Sequence, residues 1–264
     1  MHKTILITGA TDGIGRATAH KLSAPGHTVL LHGRNPQKLD QVAASLSSSA
    51  GRVASYVADL SRFPDVLDLA ETISAEHDQL DVLINNAGVY GAPSNTTESG
   101  LDLRFMVNTI APYVLTHRLL PRMVADGRII NVSSAAQAPV NLAALAGQVR
   151  LSDGAAYAQS KLAITMWSRV LALQEGAPIV IAVNPGSLLG SKMVKQAFGI
   201  DGHDIGIGAD ILTRAALSDA FEGASGRYYD NDAGRFAPPH PDALDPEKSQ
   251  QVVDRIEAIL ANHL

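Results

Sequence analysis

Tyr157 and Lys161, four residues apart, are the pair in this sequence best suited to chemistry. In a helix the i, i+4 spacing places the phenol and the ammonium on one face. A free phenol titrates near ~10 and is a poor acid or base at neutral pH, and a neighbouring cation lowers that value by favouring the phenolate. Such a pair can move a proton at a carbonyl or alcohol oxygen. Ser133 and Ser134 follow a β-branched run at 127–132. A hydroxyl there would stand at the carboxyl end of a strand, where open α/β sheets bind ligands. It could hydrogen-bond a substrate oxygen, although two serines in that place also serve as turn or helix caps.

A second constellation is suited to binding. The first apolar run leads directly into Gly9-Ala10-Thr11-Asp12-Gly13-Ile14-Gly15 and then into a helical pattern. Glycines allow a tight turn and close backbone approach, so a pyrophosphate can sit at the positive end of the helix. Taken alone, a glycine trio is equally compatible with an ordinary βα turn. The end of the second strand, Leu30-Leu31-His32-Gly33-Arg34-Asn35, carries no acid that would hold a ribose 2′-hydroxyl. Arg34 is suited to a 2′-phosphate, which favours NADP(H) over NAD(H). A solvated surface arginine is the other reading.

These groups need strands and helices to position them. Short β-branched runs at 4–8, 28–32, 52–57, 82–85, 127–132 and 179–183 alternate with helical patterns at 14–23, 36–47, 64–77, 101–124, 155–174, 207–217 and 246–260. That alternation predicts a doubly wound α/β fold with a parallel sheet. Ile179-Val180-Ile181-Ala182-Val183 and Ile129-Ile130 read as strands buried on both faces. The chain has 264 residues and is 46% hydrophobic and 18% charged, which suits one large domain and excludes a disordered chain. A net charge of −5 without a basic block argues against nucleic acid as a partner. Without cysteine there is no disulfide, thiolate zinc site or cysteine nucleophile, and no histidine spacing suggests a metal. The first apolar run begins at the N-terminus and stops at Gly9, which leaves no room for a signal peptide, and no stretch reaches membrane-span length. The expected location is cytoplasmic.

Thr8 to Gly15, Asp59-Leu60, Asn85-Asn86-Ala87-Gly88, Asn108, Ser134, Tyr157 with Lys161, and Asn184-Pro185-Gly186 together resemble the ordered motifs of the short-chain dehydrogenase/reductase family. The resemblance covers residues 4 to about 190. It implies a single Rossmann-type domain of about seven strands, the seventh near Arg227-Tyr228-Tyr229, and NAD(P)-dependent oxidoreduction of a carbonyl or alcohol. By that analogy Tyr157 is the general acid, Lys161 lowers its pKa and binds the nicotinamide ribose, Ser134 holds the substrate oxygen, and Asn108 places a water. Asp59 and Leu60 would touch the adenine. Asn86, Ala87 and Gly88 would support the adenosine side, while Pro185 and Gly186 would flank the nicotinamide.

The family comparison also divides the chain: a nucleotide-binding and catalytic core at 4–190, a substrate lid and C-terminal cover at 187–245, and a C-terminal helix at 246–262. Two features depart from the family's shortest members. An apolar stretch, Ala138 to Gly147, lengthens the interval from Ser134 to Tyr157 and is similar to the retinol dehydrogenase-like branch. It could wall a hydrophobic pocket or form a surface helical hairpin. After Pro185-Gly186 the expected nicotinamide-contacting threonine is replaced by Gly190, with Ser191 next. The expected substrate is a small, hydrophobic carbonyl or alcohol compound. Helices 101–124 and 155–174 resemble those that pair across subunits in this family, which points to a homodimer or homotetramer, although plain packing on the sheet would also explain them. A non-catalytic NADP(H)-binding sensor or scaffold is the alternative function. Such proteins usually lose the Tyr or the Lys, whereas this chain keeps both.

Overall fold

The structure, a computed structural model, describes residues 2–46, 51–92 and 94–263, with the backbone alone at 197 and 198. The predicted strands form one sheet: β1 (Thr4–Ile7), β2 (Thr28–Gly33), β3 (Val53–Val57), β4 (Leu80–Asn85), β5 (Met123–Val132), β6 (Ile179–Asn184) and β7 (Tyr228–Asp230). Their order is β3-β2-β1-β4-β5-β6-β7, all parallel, followed by β8 (Arg235–Ala237), which pairs antiparallel with β7. The eighth strand was not expected from the sequence. The connection order reverses at β1, which lies between β2 and β4, and leaves a crevice at the carboxyl ends of the central strands.

Both faces of the sheet are covered, which is why the central strands are apolar throughout. On one face α1 (Gly13–Ser23), α2 (Pro36–Leu46) and α9 (Gly206–Leu217) pack Leu22, Leu39 and Leu212 against Ile5, Ile7 and Ile130. On the other, α3 (Phe63–Glu76), α5 (Ala111–Leu119), α7 (Asp153–Ala172) and α11 (Pro246–Leu260) bury Leu69, Leu115, Trp167 and Ile256 with Leu6, Leu83 and Ile129. Each fully buried Leu or Ile contributes ~1.5–3 kcal/mol. Pro246 opens α11 at the predicted residue, and Asp245 caps it by accepting from the Glu247 and Lys248 N–H groups. The predicted end of α2 at Ser47 lies outside the described residues.

The expected single helix over 101–124 is corrected. It is α4 (Leu103–Phe105), a π-helical turn (Met106–Ile110), α5, and a 3₁₀ turn (Leu120–Arg122). Met123 and Val124 belong to β5, drawn into the sheet by pairing of Met123 with Leu80. Four short elements complete the described chain: α6 (Leu142–Leu145), α8 (Lys192–Phe198), a 3₁₀ turn (Asp219–Phe221) and α10 (Pro241–Leu244). Among the described residues no helix is long and apolar enough to cross a membrane. Nor does any group of three or more His, Asp or Glu among them suit a metal.

Candidate active site

Tyr157 stands in the second turn of α7, whose N-terminus Ser152 caps by accepting from the Ala155 N–H. One turn on, Lys161 is only 3% exposed, and its Nζ donates to the Val132 carbonyl at the end of β5, 2.7 Å away. The ammonium lies 5.8 Å from the centroid of the Tyr157 ring. Burial lowers the Lys161 pKa to about 8. Burial also pushes the Tyr157 phenol up, a hydrogen bond from Ser134 pulls it down, and the Tyr90 phenol pushes it up again; the net direction is upward. The lysine is itself desolvated, and its Nζ is turned onto the Val132 carbonyl.

The two serines divide their roles. Ser133 is 2% exposed, and its hydroxyl is committed to the Lys161 carbonyl at 2.9 Å and the Thr165 hydroxyl at 2.8 Å. Ser134 is half-buried and faces Tyr157. Its Oγ accepts from the Ala136 N–H, and its carbonyl accepts from the Tyr228 hydroxyl at 3.0 Å and the Gln137 amide at 3.0 Å. Of the two hydroxyls, that of Ser134 is the one beside Tyr157, while that of Ser133 is spent inside the fold.

Asn108 lies in the π-helical turn, where one extra residue per turn redirects the backbone. Its amide is held on three sides: Oδ1 accepts from the Val89 N–H (2.8 Å), and Nδ2 donates to the Val89 carbonyl (2.9 Å) and to Ser160 Oγ (2.9 Å). A methyl group placed on Gly88 would sit 3.5 Å from both Asn108 Oδ1 and Lys161 Nζ, so these three residues converge.

At the other end of the crevice, Gly9 has φ +67°, and a side chain there would meet Ala87 Cα at 2.9 Å. A side chain at Gly15 would meet the Gly9 carbonyl at 2.3 Å and the Asn86 amide at 2.4 Å. Only glycine fits either place. Asn86 and Ala87 hold the turn: both N–H groups donate to the Thr8 hydroxyl, and Asn86 Nδ2 donates to the Thr8 and Gly9 carbonyls. Asp12 caps α1 by accepting from the Gly13 N–H and pairs with Lys192 of α8. Thr11 packs under Gly33, and Ile14 against Gly208. Arg34 is exposed at the end of β2, and Asn35 opens α2 by accepting from the Lys38 N–H. Asp59 accepts from the Ser61 N–H, with Leu60 buried behind it. Pro185 and Gly186 follow β6 directly.

Sequence reasoning passed over His32, which is fully buried. Its Nδ1 accepts from the Gly9 N–H and its Nε2 bonds the Ala58 carbonyl, so the ring ties the glycine turn to the loop carrying Asp59. Burial lowers its pKa to about 4, which keeps it neutral. A histidine inside an apolar strand was the available signal. Tyr90, whose ring centroid lies 5.2 Å from that of Tyr157, carried no comparable signal. The apolar stretch after Ser134 folds onto the body as α6, with Ala144 and Leu145 fully buried against the core that includes α11.

Comparison with known proteins follows the geometry. The model of the short chain dehydrogenase family matches residues 3–199. The chain belongs to that family. It is similar to mouse retinol dehydrogenase 13, 31% identical over 95% of this chain and 81% of that protein. It is also similar to human retinol dehydrogenase 12, 33% identical over 86% of this chain and 77% of that protein. Among solved structures, angucycline C-6 ketoreductase LanV with bound NADP superposes with a TM-score of 0.70 at 30% identity, covering 87% of this chain and 93% of that one. The chain is thus a dehydrogenase/reductase of the CH–OH and C=O class.

Proposed function

We propose that the protein is an NADP(H)-dependent carbonyl reductase, reversibly an alcohol dehydrogenase, in which Tyr157 is the acid/base and Ser134, Lys161 and Asn108 assist it. The observation that carries this reading is the convergence of Tyr157 with Ser134 on one side and the buried Lys161 on the other, at the carboxyl ends of the central strands. The glycine turn fits a dinucleotide: Gly9 and Gly15 permit the close turn, and the N-terminus of α1 is delivered to where a pyrophosphate would lie. Asp12, Thr11, Gly13 and Ile14 belong to this cradle. Arg34 and Asn35, at a strand end with no acid, suit a 2′-phosphate, and Asp59 and Leu60 the adenine. Asn86, Ala87 and Gly88 brace the turn from β4, and Pro185 and Gly186 border the nicotinamide end.

NADPH, when bound, supplies the hydride. The chain does the rest. Ser134 donates a hydrogen bond to the substrate oxygen and polarises the carbonyl. Tyr157 Oη gives its proton to that oxygen as the alcohol forms. Lys161 stabilises the phenolate left behind, and Asn108 keeps the loop at Val89 fixed beside it. The test is Tyr157→Phe: carbonyl reduction, followed as loss of NADPH absorbance, should fall by about 100-fold or more. Retention of full activity on a true substrate would end this mechanism.

A further inference from the structure

The hairpin formed by β7 and β8 does more than extend the sheet. Its tip, Asp230 to Asp232, reaches over the carboxyl end of β6 and takes hold of the loop that follows it. The Asp232 carboxylate accepts three hydrogen bonds from that loop: Ser187 N–H to Oδ1 at 2.8 Å, Ser187 hydroxyl to Oδ2 at 2.6 Å, and Asn184 Nδ2 to Oδ2 at 2.9 Å. Neighbours reinforce the grip. Asn184 Nδ2 also donates to Asp230 Oδ1 at 2.9 Å, and the Asn231 amide donates to the Pro185 carbonyl at 2.9 Å. On the loop side, Asn184 Oδ1 accepts from the Gly186 N–H at 3.2 Å. Pro185, Gly186 and Ser187 are therefore each fixed, directly or through one partner, by the hairpin tip.

The next residue records the tension. Leu188 has φ +52°, the sole non-glycine in the left-handed region among the described residues, and it is 41% exposed. A branched side chain adopts that conformation when its flanks are held. Here Ser187 is held by Asp232, and the Leu188 carbonyl accepts from the His203 N–H at 2.8 Å. Burial pushes the Asp232 carboxyl up, but the hydrogen bonds from Ser187 and Asn184 and the nearby His203 outweigh it and hold the group below its ordinary value. The clamp is thus built around a carboxylate.

We infer that Asp232 is a positioning residue for hydride transfer: it fixes the Pro185–Gly186–Ser187 wall against the nicotinamide end of the cofactor, in a chain where Gly190 stands in the usual threonine's place. This rests on the cofactor reading above. It predicts that loss of Asp232 affects the nicotinamide half of the ligand and spares the adenosine half.

The test measures binding of two probes, NADPH and 2′-phospho-ADP-ribose, which lacks the nicotinamide, to the wild-type protein and to Asp232→Ala, Asp232→Asn and Ser187→Ala. Asp232→Ala should weaken NADPH about tenfold, as expected for losing hydrogen bonds to a charged group, and leave 2′-phospho-ADP-ribose within about twofold. Ser187→Ala removes one donor and should fall between, and Asp232→Asn, which keeps the shape, should recover part of the loss. In turnover, kcat should drop in the same order while KM for the carbonyl substrate stays nearly constant. Equal weakening of both probes, or of neither, overturns the inference. Failure of the wild-type protein to bind either probe would instead remove the cofactor reading itself.

Discussion

Lys161 makes a quantitative prediction about stability as well as catalysis. Its ammonium is 3% exposed, and its pKa falls from 10.5 to about 8 because burial disfavours the charge. That shift means about 3 kcal/mol of destabilisation at neutral pH, where the lysine is charged in both folded and unfolded chains. Replacing it by methionine, of similar length and without charge, removes this penalty. The same change removes the Nζ hydrogen bond to the Val132 carbonyl, worth about 1–2 kcal/mol. The cofactor-free Lys161→Met protein should therefore be more stable than wild type at pH 7 by about 1–2 kcal/mol, a rise in Tm of about 4 °C for a chain of this size. Carbonyl reduction should be nearly abolished. The sign with pH is fixed: between about 8 and 10.5 the unfolded lysine holds a proton that the folded one has released, so wild-type stability rises through that window. The advantage of the variant is then full below pH 8 and fades towards pH 10.5. Thermal melts at pH 7 and pH 10 measure this directly. A Lys161→Met protein that melts below wild type at pH 7 would refute the reading of Lys161 as a destabilising buried charge.

Three further outcomes follow from the geometry. Arg34→Ala should raise the Kd for NADPH by at least about tenfold and leave that for NADH nearly unchanged, read by fluorescence titration, because only the 2′-phosphate would pair with the guanidinium; equal losses would remove Arg34 from the site. Ser134→Ala should lower kcat far more than Ser133→Ala, whereas Ser133→Ala should lower Tm more, since the Ser133 hydroxyl serves Lys161 and Thr165 inside the fold; steady-state kinetics beside melting curves separates the two. If pairing of subunits depends on α7, light scattering should find a monomer, because α11 of the same chain already packs along α7 and buries Val252, Ile256 and Ile259. A dimer at micromolar concentration would show that another surface pairs the subunits.

The parts of the fold that were legible in the sequence are those governed by one-dimensional pattern. Strands buried on both faces announce themselves as unbroken apolar runs, and the glycine turn and the Tyr157 to Lys161 spacing follow from local geometry alone. What escaped depends on contacts between distant segments. The π-helical turn at Asn108 keeps the apolar periodicity of an ordinary helix, so its extra residue is invisible until Asn108 is seen bonded to Val89 and Ser160. β5 begins at Met123 despite Asp126 and Gly127, because β4 offers it a pairing partner. β8 is three residues long and would carry no propensity signal; it exists because Phe236 packs against Phe221 and Tyr229, ring centroids 5.2 and 5.1 Å away. That aromatic cluster sets the hairpin, the hairpin tip sets Asp232, and Asp232 sets the loop after β6. A residue reached through three successive tertiary contacts cannot be found by spacing, whereas one such as His32, an isolated polar group in an apolar strand, can be singled out in advance and its partners sought at the ends of the neighbouring strands.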